Sequence, residues 1–586
     1  MYYNVTVKIP VVAGKIITRK KGTSTYILYQ YGQQYKPEKK YAIPQRAIIG
    51  KMNPNNTSEM FPNERFEEFF PQSTVPEELP EAYRSCVLKI GTHAVISNVL
   101  KEYKLPELLH KRFGKDAGLL MDLVSYLIIT EENAGQHYPN FAYDHPLFSD
   151  GMHIYSDSKV SRFFKSVTND QIIGFLDDWN RKRNKKQRVY ISYDSTNKSC
   201  QAGDISILEY GKSKVDMGFP IFNLGMAFDM TNRLPLFYET YGGSINDISQ
   251  FRFMIDKAIS YGYRDVGFIL DRGYFCKDNI QYMDANGFAF IIMIKGKKEL
   301  VRHLIQKNKG TFETDRDCCI RPYRQYGKTV QARLYEDDDR DRWFHMYFNP
   351  YRQAAEREQL ETKIDHLKAY MDKHIGQDVN LGKPYETYFE LHYSKDHLLT
   401  GYTERKDVIE EELNLCGYFC IVTSEEMTAE HALIHYKGRD ISEKLFSGDK
   451  SFLGSRSMRV QTSAALSAKL FVEFIALIVR NRMYNLLKET MLRLQKKPDY
   501  MTVPSAIDEL EKIEMCRRDN GRYKLDHAVS KAQKIILSSF GMSESSITSI
   551  AIEIRNRLEN AKALPAEINN DAEVEDDAEN ALDSFC

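Results

Sequence analysis

The chain has 586 residues, in which 81 Lys and Arg balance 81 Asp and Glu to a formal charge of zero. That length supplies several domains with ample core, and the neutral balance leaves any nucleic-acid contact to local basic clusters. The nine cysteines form no paired framework and read as reduced thiols of a cytosolic protein.

Residues 1–84 mix short strands, at 4–9 and 25–31, with a Pro- and Asn-rich loop at 53–76, as an N-terminal β-containing region. The opening MYYNVTVKIP has no basic stretch followed by an apolar core, so no secretory signal is expected. Residues 85–186 read as helical: 94–109 and 118–129 are apolar at three- and four-residue steps, and 157–165 and 170–183 form a helix pair. That pair suits either a helix-turn-helix or packing support for the core. Residues 187–300 begin a core, with strands at 188–193, 206–210, 221–228 and 234–240, a helix at 247–261, and strands at 266–270 and 288–294. An insertion follows at 301–412, with strand-like pieces at 331–335, 343–348 and 385–393. Its charged helix, 351–373, has apolar residues at 360, 364, 367 and 371, the stripe of a packing face. Residues 413–490 return to the core through a strand at 417–423 and end in a long apolar helix at 462–489. Its greasiest run, 470–479, contains Glu473 and is too short to span a bilayer. Residues 491–564 read as helical, with a short strand near 523–525 and Gly541 as a helix C-cap. The last segment, 565–586, carries only acidic charge and reads as a disordered tail. Without it the body is net basic.

Three acids stand out on this frame. Asp194 follows the β-branched and aromatic run Val189-Tyr190-Ile191-Ser192-Tyr193, and Asp271 follows Val266-Gly267-Phe268-Ile269-Leu270. Each is read as a carboxylate at the tip of a strand, where strand ends line the functional edge of an α/β sheet. The third, Glu443, lies in HYKGRDISEKLFSGDK, spaced Y-x2-R-x3-E-x6-K from Tyr436, Arg439 and Lys450. A helix advances about 100° per residue, so these steps return to one stripe. Gly448 favours a helix end there, which sets Lys450 on the loop beyond. Two strand-tip carboxylates and a helical one are the parts of an oxygen cage for hard divalent cations.

Taken in this order, the chain resembles the DDE insertion-sequence transposases. It is most similar to the insertion-sequence-four superfamily, whose Y-R-E-K signature surrounds the third acid, and to its sixteen-thirty-four branch. The likeness covers residues 85–490, and Gly243, Ser244, Asn246 and Asp247 stand where that family has P-G-N-x-x-D, with proline and spacing altered. The resemblance implies an α/β chain with an RNase H-like (retroviral-integrase-type) catalytic core and a β-rich insertion domain. An α/β N-terminal region and a helical C-terminal region flank it, and consecutive strands followed by a helix and more strands agree with that core. Asp194, Asp271 and Glu443 would then be catalytic and would ligate two Mg2+ ions, Mn2+ being able to substitute. Such ions stand about 3.5–4 Å apart and clamp the attacking and leaving oxygens.

The implied function is cut-and-paste DNA transposition: metal-dependent phosphodiester hydrolysis at transposon ends, then strand transfer by the freed 3′-hydroxyl. Tyr436, Arg439, Lys450 and Arg272 would contact DNA phosphate. Arg181, Lys182, Arg183, Lys185 and Lys186, a basic cluster before the first catalytic strand, are further candidate DNA contacts, as is Trp343, which suits base stacking or a core role. Partners would be the terminal inverted repeats, read by residues 85–186, target DNA, and a second copy of the chain in a synaptic homodimer, with no membrane. The setting would be prokaryotic cytoplasm, on the nucleoid. The alternatives are a structure-selective nuclease without strand transfer, or a catalytically silent DNA-binding protein. Gly211-Lys212-Ser213 lacks the spacing of a phosphate-binding loop, and His431 and His435 lack the Glu of H-E-x-x-H.

Overall fold

The computed structural model describes the chain apart from residues 1–5, 22–23, 37–40, 55, 74–83, 184–187, 203–204, 211–218, 246, 295–297, 440–456, 497, 518–521 and 564–586. Contacts divide it into two units, Met1–Ser85 and Cys86–Cys586. The first holds a five-stranded antiparallel sheet, in the order Val7–Lys8, Asn56–Pro62, Tyr41–Asn53, Ser24–Lys36 and Ile16–Lys21. Ile27, Ile49, Met60 and Phe66 form its core.

The second unit is built on a ten-stranded mixed sheet. Strands β1 (Val189–Cys200), β2 (Ile221–Asp229) and β3 (Leu234–Gly242) make an antiparallel meander. Helices α1 (Asp157–Ser166) and α2 (Asn169–Arg181) precede it, and α3 (Asp247–Ser260) follows. Then β4 (Val266–Leu270) enters parallel to β1, and β5 (Ala289–Met293) parallel to β4. The spatial order is β3-β2-β1-β4-β5. Every residue of β4 is buried, as expected of a parallel strand covered on both faces.

Past β5 the sheet continues antiparallel through β9 (Tyr418–Thr423), β8 (Arg342–Phe348), β7 (Gln325–Ala332) and β6 (Cys319–Ile320). A short β10 (Ser457–Met458) runs beside the far end of β1. Strands from within 301–412 thus belong to the central sheet. The part with its own core is the helix Pro350–Lys373 with the hairpin Phe389–Tyr393 and Leu399–Glu404, packed around Ile364, Met371, Phe389 and Leu399. Helix α4 (Ala429–Gly438) packs over β4, β5, β8 and β9, and the long α5 (Ser463–Leu494) buries 20 of its 32 residues.

Local chemistry overrode the sequence pattern in four places. The apolar stretch 94–109 breaks into Gly91–Glu102 and Leu105–Phe113, with Lys104 left-handed at φ 55°, because Pro106 opens the second helix and has no N–H to continue the first. Residues 206–210 form no strand; a single bridge joins Glu209 to Ile221, and the Glu209 carboxylate accepts the Ser244 N–H at 2.9 Å. The strand expected at 331–335 lies earlier, at Gln325–Ala332. Residues 385–393 start as the helix Lys383–Tyr388 before becoming strand, since Pro384 sits in a first turn where its missing N–H costs nothing.

Candidate active site

Strands β1 and β4 run in parallel register with Tyr193 beside Leu270, and the next residue on each chain is an aspartate. Side chains alternate along a strand. Asp194 therefore shares a face with Tyr190, and Asp271 with Ile269, and both of those residues pack in the cluster beneath α4. Asp271 stands just past β4, at the N-cap of the turn Arg272–Tyr274.

Asp194 is not at a strand tip. β1 continues to Cys200, and Asp194 pairs with Met226 of β2. What stops at this point is the pairing with β4. The polar run after Asp194 stays in the ladder because its buried groups find partners: Asn197 bonds Asn223, and Lys198 Nζ meets Glu473 Oε2 at 2.8 Å.

Helix α4 brings in Tyr436, with Arg439 at its C-cap. Thr428 caps it, accepting the His431 N–H at 3.1 Å, and Tyr347 Oη donates to the Ala429 carbonyl at 2.8 Å. His435 stacks on Tyr190 with ring centroids 4.5 Å apart. Gly267 makes room for that ring, since a Cβ there would lie 2.6 Å from Tyr190. At the end of the helix, Tyr436 is 5% exposed and its hydroxyl faces Asp271 Oδ1 at 3.5 Å. Arg439, at the C-cap, sets Nη2 3.6 Å from the same oxygen. Glu443 and Lys450 lie outside the described residues.

The Tyr436 phenol and the Arg439 guanidinium thus both face the Asp271 carboxylate, one strand over from Asp194. Asp194 Oδ1 accepts the Ser195 N–H at 2.8 Å. The donors are all oxygen, the chemistry that a hard divalent cation takes. Among the described residues no three His, Cys, Asp or Glu side chains converge as a metal cage.

The remaining sequence candidates are dispersed. Arg272 is exposed immediately after Asp271. Arg181 is paired with Asp177 at 2.9 Å, and Lys182 is exposed. Arg183 lies 3.8 Å over the Trp179 ring, and its burial there lowers its pKa. Lys185 and Lys186 fall outside the described residues. Trp343 is half-buried within β8, opposite Thr423 and Gln331. Burial, then His431, lowers the pKa of His435.

Sequence reasoning missed the pair Lys198–Glu473 and its neighbour Lys469. A signal existed: a lone acid within an apolar run requires a buried partner, and Lys198 lies four residues after Asp194, on the same strand face.

The transposase DDE domain matches residues 186–479 of this chain, just over half its length. No curated protein matches it in sequence. Among solved structures, seven chains match. One is in the cryo-EM structure of the piggyBac transposase synaptic complex with hairpin DNA, at 6% identity and a TM-score of 0.30, covering 71% of this chain and 66% of that one. The domain match takes in β1 through the first half of α5, including both aspartates and α4, and the chain belongs to the transposase DDE domain family.

Proposed function

We propose that the chain is a DNA transposase with an RNase H-like core of the insertion-sequence-four type, cutting transposon ends and joining them to target DNA. The observation that carries this reading is the pair Asp194 and Asp271 on adjacent strands, inside the family match and beneath the signature helix. The strand order β3-β2-β1-β4-β5, three antiparallel and two parallel, supports the core assignment.

Asp194 and Asp271, with Glu443 assigned by its place in the signature, would hold Mg2+. Bound there, the metal would polarise the phosphoryl group and lower the pKa of the attacking water or 3′-hydroxyl. The chain's own residues position this chemistry. Tyr436 and Arg439 hold the Asp271 carboxylate from one side, and Tyr190 with His435 fixes the helix that carries them. Arg272, and Lys450 by its place in the sequence, would contact the phosphate. The substrate is double-stranded DNA, and a homodimer in the cytoplasm holds the two transposon ends in one complex.

The test is a cleavage assay on labelled transposon-end duplex with Mg2+. Wild type should nick the duplex, while Asp194→Ala and Glu443→Ala should bind DNA without cutting it. Cleavage that survives either substitution would remove that carboxylate from the mechanism. Binding by wild type without any cleavage would favour a silent DNA-binding protein.

A further inference from the structure

A second charged recess lies at the other end of β1. Where that strand stops, β10 runs beside it and α5 begins, and with α1 they border an open cleft of about 860 Å3. Its lining includes three cations, Lys165, Arg459 and Lys469, with Gln201 and Thr462 as neutral donors and Asp157 as the one acid among the described residues. Lys165 and Arg459 are exposed, as surface cations usually are.

Lys469 is different. It is only 3% exposed, and it makes no hydrogen bond or ion pair with any described residue. Its natural partner would be Glu473, one helical turn on, but Glu473 gives its hydrogen bond to Lys198 at 2.8 Å. Burial lowers the Lys469 pKa to about 8; Glu473 opposes that shift, while Lys198 and Arg459 add to it. An ammonium taken out of water beside Lys198 and Arg459 has Glu473 within Coulombic reach but no hydrogen-bonded counter-anion among the described residues. The N-terminus of α5, a helix of 32 residues capped by Thr462, opens on the same cleft and adds its own partial positive charge.

We propose that this cleft seats a phosphodiester of the DNA strand bound for cleavage. The proposal rests on the transposase reading above. Asp194 and Cys200 stand six residues apart on β1, or roughly 20 Å. No single phosphate reaches both places, so the cleft takes a different phosphate from the one that is cut. Arg459 can fork onto two phosphate oxygens while Lys469 supplies a point charge from below. Lys165 and Arg459, exposed at the rim, add two more cations to the same cleft.

The experiment measures binding of the full chain to a fluorescein-labelled duplex of arbitrary sequence, in EDTA, across a KCl series. Loss of one phosphate contact should make the slope of log K against log [KCl] shallower by about 0.9. Lys469→Met and Arg459→Gln should each show that change, and Arg459, being exposed, can be replaced without a folding penalty. Slopes equal to wild type in both variants would overturn the cleft proposal and leave the transposase reading standing. A wild-type chain that fails to bind duplex would overturn both. Inorganic phosphate that raises the melting temperature of wild type but not of Lys469→Met, with unchanged DNA slopes, would make this a free-anion site and overturn the DNA assignment.

Discussion

β1 handles charge in two opposite ways within four residues. At Asp194 it keeps a partly exposed carboxylate beside the like-charged Asp271 of the next strand. At Lys198 it buries an ammonium completely, against a Glu473 carboxylate that is 2% exposed. The first arrangement costs repulsion and, on the proposed function, leaves carboxylate oxygens accessible to a cation and a phosphate. The second holds strand and helix together. A buried ion pair adds little net stability over an apolar pair, yet removing one member leaves an uncompensated charge. On the proposed function, activity and cohesion are therefore separable along one strand.

The largest expected effect is on the partly exposed acids. Asp271→Asn should lower Mg2+-dependent cleavage by on the order of a thousand-fold, about 4 kcal/mol of barrier, while the melting temperature stays level or rises as the repulsion is relieved. A marked loss of stability in that variant would break the comparison. At the buried station the signs reverse. Lys198→Met should destabilise the fold by about 3–5 kcal/mol, and the double variant Lys198→Met with Glu473→Leu should recover most of that loss. Urea denaturation of the single and double variants measures the difference, and a double variant no better than the single one would mean that packing sets the loss.

Much of the frame was legible in the sequence. The runs Val189–Tyr193 and Val266–Leu270 are β-branched and aromatic and do form strand, but only Asp271 stands at a strand end, as expected of both acids. The extent of β1 was not legible, because Ser195 to Ser199 read as turn formers. They remain strand only because β2 and α5 supply partners at a distance in sequence, Asn223 and Glu473. The same reason hid the Lys469 cleft, whose walls come from α1, β10 and α5. The i, i+3 spacing of Tyr436 and Arg439 did foretell a shared target, but not that the target is the second aspartate. A register between distant strands sets that, and local pattern carries no record of it.

A third buried charge tests whether cohesion can be titrated. His145 is flanked by Asp144, with Nδ1 at 2.6 Å, and by Glu511, with Nε2 at 2.7 Å. Burial alone would lower its pKa, but the hydrogen bonds to Asp144 and Glu511 outweigh that and raise it from 6.5 to about 9. A raised folded-state pKa gives stability that is complete below 6.5 and is lost as pH climbs through 9. The shift corresponds to roughly 3 kcal/mol. Melting curves of wild type and His145→Gln should converge over that window, and parallel curves would show that the imidazolium contributes nothing.

The smallest effect lies between the two stations, on the helix that serves the acids but is held by the sheet. Thr428 caps α4 through the His431 N–H, and Thr428→Ala should cost about 1 kcal/mol, with Thr428→Ser restoring most of it. The loss stays that small because the rest of the anchorage survives: Leu433 is fully buried, Tyr347 still bonds the Ala429 carbonyl, and His435 still stacks on Tyr190. If cleavage falls with stability in the alanine variant and returns with serine, the placement of Tyr436 on Asp271 depends on how well α4 is formed. A stability loss without any change in cleavage would mean that the last turn of the helix is fixed by its packing on β4 and β9 alone.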